Sequence, residues 1–390
     1  MGANRISQTV RGFGSSSLPG RRAGRGFVAI LLAALTLGLG QAPASADPTP
    51  DPAATGLGCG LVLLTSATLT EDLTCSGDGL IIGADNVTIN LNGHTIRGDG
   101  SGAGIQAGDH QVPRTGITVR NGRIEGFFQS IALYLATNVT ITNVTTVGGK
   151  IDANIGTSGT ISGSRARCVL DGFQTVLSRW TVDRCALHGI TVFNQSAVTL
   201  TSSRLTSGRL QFAQSDNSTV TGNVFDDFPA TLGFESRNNT LRDNVFKNTD
   251  TAMWLSGTSV GNTVENNTFK DNSVGINAYI FSDKVTGNRF VDNRTAGLYI
   301  RDTIATASVT GNTFRRNGGA PDGLTDPSGT PVRGGIHIGL SAASTINVAG
   351  NSGSRNQGYF IFARPGTVVD GGANKGRPCG PQPTPAVTCG

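Results

Sequence analysis

A short motif, Asn-x-Phe, recurs at nearly constant spacing: Asn223-Val-Phe225, Asn244-Val-Phe246, Asn267-Thr-Phe269, Asn288-Arg-Phe290 and Asn312-Thr-Phe314. The steps between the asparagines are 21, 23, 21 and 24 residues, and Asn351 continues the column after 39. That long step contains the Gly/Pro-rich stretch 318–333. Upstream the column can be followed through Ser203, Cys185, Ser164, Val144, Gly122 and His94, at steps of 20, 18, 21, 20, 22 and 28. A period near twenty residues is the signature of a chain whose units cannot bury a core alone and must stack on one another.

Each unit is built from short β-branched or aromatic runs, such as Val139-Thr-Ile-Thr and Val198-Thr-Leu-Thr, separated by Gly, Asn, Asp and Ser. Neither a sustained 3.6-residue apolar period nor a Leu-rich consensus is present, so helical solenoids and leucine-rich repeats are excluded. The expectation is an all-β, single-stranded right-handed parallel β-helix of about 12 coils over residues 58–365. Twelve columns at strand spacing give a rod of roughly 58 Å. In such a rod the Phe column stacks in the core. The Asn column sits at a bend, its amides bonding from coil to coil. The Asn-x-Ser/Thr sequences at Asn86, Asn138 and Asn143 fall on the same pattern and read as turn chemistry rather than glycan acceptors.

Composition agrees with a thin, long core: Gly is 55 of 390 residues and charged residues are 15%. The net charge of +5 comes from residues 1–46, which hold Arg5, Arg11, Arg21, Arg22 and Arg25 and no acid. The remaining 26 basic and 26 acidic side chains cancel, which removes any case for nucleic acid from bulk charge. Residues 1–46 read as a signal peptide: arginines, an apolar stretch from Phe27 to Gly40 too short to span a bilayer, and Ala44-Ser45-Ala46 as the cleavage pattern. Gly24 and Gly26 fit twin-arginine export poorly, so the general secretory route is favoured. Residues 47–57 form a flexible linker and 366–390 a Pro-rich tail.

An exported protein can carry disulfides, and its six cysteines fall into three near pairs. These are Cys59/Cys75, Cys168/Cys185 and Cys379/Cys389, the first and last placed to protect the rod ends. Four His residues and one Met beyond Met1 offer little for a transition-metal cluster. No metal is assigned. Asp227, Asp271 and Asp292 share a turn column that could bind Ca²⁺, although Asx turns are the stronger account of them.

The segments V-T-G-N-V-F, V-E-N-N-T-F-K-D-N-S-V-G-I and V-T-G-N-R-F-V-D-N-R-T-A-G-L resemble the right-handed parallel β-helix repeat family, which shares the pectate-lyase-like superfold. The start, Cys75-Ser-Gly-Asp-Gly-Leu-Ile-Ile-Gly-Ala-Asp with Leu91-Asn-Gly-His94-Thr-Ile, is similar to that of secreted bacterial members. The resemblance implies a fold and leaves open polysaccharide lyases, uronate epimerases, glycoside hydrolases, tailspikes and proteins without activity. Asn248-Thr-Asp250 and His188-Gly189 resemble polygalacturonase signatures but stand in the wrong order. The Asp-Pro-His motif of mannuronan epimerases is missing, since Asp326-Pro is followed by Ser328. His94 and His188 read as structural.

Function must therefore come from the outer face. Taking Leu232/Phe234, Met253/Leu255, Ile276/Ala278, Leu298/Ile300 and Ile336/Ile338 as inward pairs gives two outward columns. One runs Gly233, Trp254, Asn277, Tyr299, His337, and the other Glu235, Ser256, Tyr279, Arg301, Gly339. The first reading is an extracellular acidic polysaccharide as partner, acted on by β-elimination or epimerisation of a uronate. Arg301 would neutralise the carboxylate, Tyr299 and His337 would serve as base and acid, and Trp254, Tyr279, Asn277 and Glu235 would hold the sugar. Hydrolysis needs two carboxyl groups within about 5–9.5 Å, and Glu235 is the one acid in these columns. Stretches 318–333 and 98–114 would wall the site. The second reading is a non-catalytic glycan-binding or surface rod, in which these residues are ordinary β-formers and solvated charges. Oligomeric state and any membrane association beyond the absence of a span are not legible.

Overall fold

The computed structural model describes residues 56–109, 111–256, 258–279, 282–302, 306–340 and 342–390. The predicted leader and almost all of the linker lie outside these residues. The described chain coils as a right-handed parallel β-helix, with three short strands in a typical coil. One side is a 15-stranded all-parallel front sheet that begins at Leu61–Leu63 and ends at Cys379–Gly380. Its fourteen steps of about 4.8 Å give a rod near 67 Å. The count exceeds the expected twelve because Leu61–Leu63 and Leu80–Ile82 precede the His94 coil and Cys379–Gly380 follows the Asn351 coil. No helix among the described residues is long and apolar enough to cross a membrane.

The register explains why the repeat tolerates so little drift. Phe225, Phe246, Phe269, Phe290 and Phe314 pair directly, strand to strand. Their rings stack at 4.3, 5.0, 4.9 and 4.6 Å, with planes within 15° of parallel. Leu170, Leu187 and Leu205 occupy the same column upstream. Downstream the column reaches Gly353, where a Cβ would meet the Phe360 ring at 2.1 Å. Phe360 has turned in from the next strand to fill the place.

The buried Asn column works as a ladder across three coils. Asn267 Oδ1 accepts from the backbone N (2.9 Å) and Nδ2 (2.9 Å) of Asn244. Asn267 Nδ2 donates to Asn288 Oδ1 and to the Leu241 carbonyl. The ladder runs from Asn223 through Asn351 to Asn374. With a donor and an acceptor on one short side chain, asparagine satisfies the bend from both sides. Second and third ladders run through Asn239, Asn262 and Asp283, and through Asn272, Asn293, Asn317 and Asn356.

Upstream the register corrects one position. Val224 aligns with Arg204, Ala186, Val169 and Thr145. The residue of the Asn column is therefore Cys168 and not Ser164, which lies in a short outward loop. Cys168 and Cys185 are thus successive members of one column, and their disulfide replaces the amide link. The Cys59–Cys75 and Cys379–Cys389 bridges also form. Asn86, Asn138 and Asn143 adopt φ of 58°, 52° and 53°, the left-handed turn conformation that asparagine tolerates. Asp227, Asp271 and Asp292 share this conformation at their corner, where Asp292 is paired with Arg316. The 98–114 segment is not a wall: its Ala103–Ala107 is a strand of the front sheet.

Two outcomes are expected. Phe269→Ala should lower unfolding free energy by about 3–5 kcal/mol in urea titrations, because neighbours held on both sides cannot collapse into the gap. Asp283 ends its ladder as a buried acid, and burial pushes its carboxyl up to about 6 against the Asn262 hydrogen bonds. The folded state therefore binds the proton more tightly than the unfolded one, and stability from this group is lost as pH rises from the ordinary aspartate range through about 6. Asp283→Asn should raise the Tm at pH 7, with the gain shrinking as pH falls below about 6 and gone below the ordinary aspartate range.

Candidate functional site

The outer face of the front sheet follows from strand alternation. Strands Thr251–Leu255, Val274–Ala278, Ala296–Ile300 and Gly334–Ile338 align Trp254 with Asn277, Tyr299 and His337, and Phe362 follows. Four of the residues assigned to the first column from sequence therefore stand side by side. The fifth does not: Thr231, not Gly233, pairs with Trp254, and Leu232 pairs with Leu255. The alignment slips by two because Phe234 is not inward. The strand ends at Gly233, and the chain turns at Phe234 and Glu235 with φ of 51° and 63°. Glu235 accordingly leaves the column and lines a different corner with Gln214 and Arg237.

The larger departure is burial. Tyr299 is 0% and His337 1% exposed, although both point away from the core. Residues 318–333 fold down on them. Val332 and Leu324 pack with Val274, Ala296 and the Tyr299 ring as a small outer core. Asp326, itself 4% exposed, joins the layers. Its carboxylate contacts His337 Nε2 at 3.2 Å and Arg364 Nη2 at 2.8 Å, and its Oδ1 accepts from the Ser328 and Thr330 amides. Burial opposes this charge, but the bonds from Arg364, Thr330, His337 and Ser328 outweigh it and hold the carboxyl below the usual range. The His337 ring stacks on Phe362 at 4.5 Å and meets Tyr299 edge-on at 5.6 Å. Burial pushes the His337 pKa down and the Tyr299 pKa up, the latter countered by Arg301.

Arg301 and Tyr279 remain open. The guanidinium lies over the Tyr279 ring, 5.4 Å from its centroid, and Tyr279 is 44% exposed. Trp254 is half-buried one column away, and Asn277 beside it is 4% exposed with Oδ1 lacking a hydrogen-bond partner. The structure thus divides the sequence-assigned group into an exposed Tyr279–Arg301 pair and a covered Tyr299–His337 pair. Asp326 and Arg364 were missed. Asp326-Pro-Ser carried only a failed motif match, and nothing in the periodicity signals which insertion residue reaches the sheet. No group of three His, Cys, Asp or Glu among the described residues is arranged to hold a metal ion.

The family model described as "right handed beta helix region" matches residues 169–314 and 263–371, together just over half of the chain. No curated protein sequence matches significantly. Among solved structures, a mutant of the periplasmic alginate epimerase AlgG is similar at 12% identity and a TM-score of 0.40, covering 71% of this chain and 77% of that one. The A-module of the Azotobacter vinelandii mannuronan C-5 epimerase AlgE6 is similar at 16% identity and a TM-score of 0.39, covering 78% and 82%.

The covered pair has a pH signature. His337 is held neutral, so the unfolded state takes up its proton first, and the contribution of this group is full above about pH 6.5 and shrinks as pH falls below it. The Tm difference between wild type and His337→Gln should therefore be largest above pH 7 and narrow toward pH 5. A gap that widens on acidification would show that the imidazole is held as the cation.

Proposed function

The chain belongs to the right-handed β-helix family, and from that premise we propose that it is an exported protein that engages an extracellular acidic polysaccharide along the outer face of its front sheet. The observation that carries this reading is the exposed Arg301 guanidinium poised over Tyr279, with Trp254 in the adjoining column. A planar cation that can take a carboxylate through two parallel N–H bonds, set among aromatic faces that accept sugar C–H edges, suits a uronate residue. Coils repeat at about 4.8 Å along the rod, so an extended polymer can run over several of them at once.

Elimination or epimerisation is a second reading, favoured by the contiguity of Tyr299, Arg301 and His337. Arg301 would offset the uronate carboxylate and lower the cost of the carbanion formed when a base removes the C5 proton. In elimination that electron pair forms the C4–C5 double bond, the C4–O bond breaks, and the departing oxygen takes a proton. In epimerisation a proton returns to the opposite face of C5. Tyr299, its phenol kept protonated by burial, suits the proton donor, and neutral His337 suits the base. His337 Nε2 is occupied by Asp326 beneath the insertion, so this chemistry requires 318–333 to lift.

Affinity electrophoresis in alginate and polygalacturonate gels tests the binding reading. Arg301→Ala should weaken retention about tenfold or more, and Arg301→Lys should restore part of it. Retention equal to wild type in Arg301→Ala would overturn the site. For the second reading, wild type and Asp326→Ala are incubated with the same polymers. Growth of ultraviolet absorbance from an unsaturated product, or C5 inversion seen by NMR, identifies catalysis. Neither signal in either protein leaves binding as the function.

A further inference from the structure

Six front-sheet strands before Trp254, roughly 29 Å along the rod, the corner that leads into the front sheet holds a second concavity, of about 720 Å³. Its floor is bare backbone. Gly126 and Gly148 turn with φ of 71° and 73°. At Gly98 a Cβ would meet the Phe127 ring at 2.6 Å, and at Gly149 one would meet the Phe127 carbonyl at 2.5 Å. Packing of the corner therefore demands glycine on successive coils, and the product is a trough whose floor is glycine backbone. Phe127 is buried beneath it, whereas Phe128 lines the trough with 68% of its surface exposed. An exposed ring of this size is costly to keep in water and is unlike the stacked phenylalanines of the core, which are fully buried.

The polar groups on the rim define the chemistry. Asp99 and Asp171 line the trough. The Asp99 Oδ1 accepts from Ser101, and the Asp171 oxygens accept from the Gly148 amide at 2.9 Å and contact His188 Nδ1 at 3.3 Å. Both carboxylates are thereby oriented and keep lone pairs for further donors. Lys150, the one cation among the lining residues, is committed: its Nζ lies 2.8 Å from Gln174 Oε1 and 3.4 Å from Asp152. Asp152 is 5% exposed, and its Oδ2 also accepts from Gln129 Nε2 at 2.7 Å, so Lys150 supplies the positive charge beside a buried carboxylate. Two carboxylates with acceptor capacity left over and a neutralised cation disfavour an anionic ligand. An aromatic face, a flat floor and carboxylates that accept hydroxyl protons suit a neutral pyranose ring.

We propose that this trough is a binding site for a neutral hexopyranose unit, separate from the acidic-polymer surface around Arg301, with Phe128 as the stacking platform and Asp99 and Asp171 as hydroxyl acceptors. The site lets one rod hold a neutral and an acidic stretch of glycan, or two different chains, at a fixed separation.

The test uses the full exported protein with cellohexaose, mannohexaose and maltohexaose as probes, read by saturation-transfer NMR and by titration, with alginate retention measured in parallel. Wild type should bind at least one neutral hexasaccharide. Phe128→Ala, at an exposed position, should weaken that binding about tenfold or more while leaving alginate retention unchanged. Asp171→Asn should weaken it less, and Arg301→Ala should leave it intact. Absence of wild-type binding to all three probes, or binding unaffected by Phe128→Ala, overturns the site. Loss of alginate retention in Phe128→Ala overturns its neutral-sugar assignment. Because the two surfaces are read by different probes and variants, failure here and failure of the Arg301 reading are distinguishable.

Discussion

Every coil of this protein is bound to the next by parallel β hydrogen bonds, and that single spacing of about 4.8 Å decides which side chains are tolerable at each position. A residue in the core sees its own counterpart above and below before it sees anything else. Stacked Phe rings suit the spacing, since neighbouring rings fall at 4.3 to 5.0 Å. A buried Asn suits it too, because its amide reaches one coil on to an oxygen and one coil back to a carbonyl. Charges do not suit it. Asp283, the acid within a buried ladder, has its carboxyl driven up to about 6.

The same spacing explains what could be read without coordinates. Where identity repeats, as in the Asn and Phe columns, the register follows by counting, and the Trp254–Asn277–Tyr299–His337 alignment follows from it. Where the column residue changes type, counting fails. Regular steps of 20 and 21 point to Ser164, whereas the actual steps are 24 and 17 and put Cys168 in the column, where its disulfide to Cys185 needs no ladder chemistry. Apolar Phe234 reads as inward and so carries Glu235 onto the outer column, whereas the chain has already turned there. Both errors sit at corners, where side-chain alternation stops being informative.

Burial of the outer column was illegible for a different reason. Alternation says that Tyr299 and His337 point away from the core, and they do. It cannot say what an irregular sixteen-residue insertion does afterward. Docking of that insertion rests on two aspartates, Asp326 against His337 and Arg364 and Asp322 against Ser273 and Thr295, and on a few apolar contacts, and none repeats. Residues that break the period are therefore where sequence reasoning loses the side chain's surroundings while keeping its direction.

This contrast bears on how a solenoid acquires specificity. The repeat supplies a long ruled surface on which any outward position can change without disturbing the core, so single positions such as Tyr279 and Arg301 are free to vary in chemistry. The insertion works against that openness: by covering Tyr299 and His337 it removes water from one end of the sheet and leaves the next columns bare. The glycine trough near Phe128 arises from the opposite condition, a corner so tightly packed that side chains are excluded. A uniform rod thus acquires local surface character in two ways, by adding chain over the sheet or by stripping side chains from a bend, and in each the regular stack underneath holds the neighbouring residues in place.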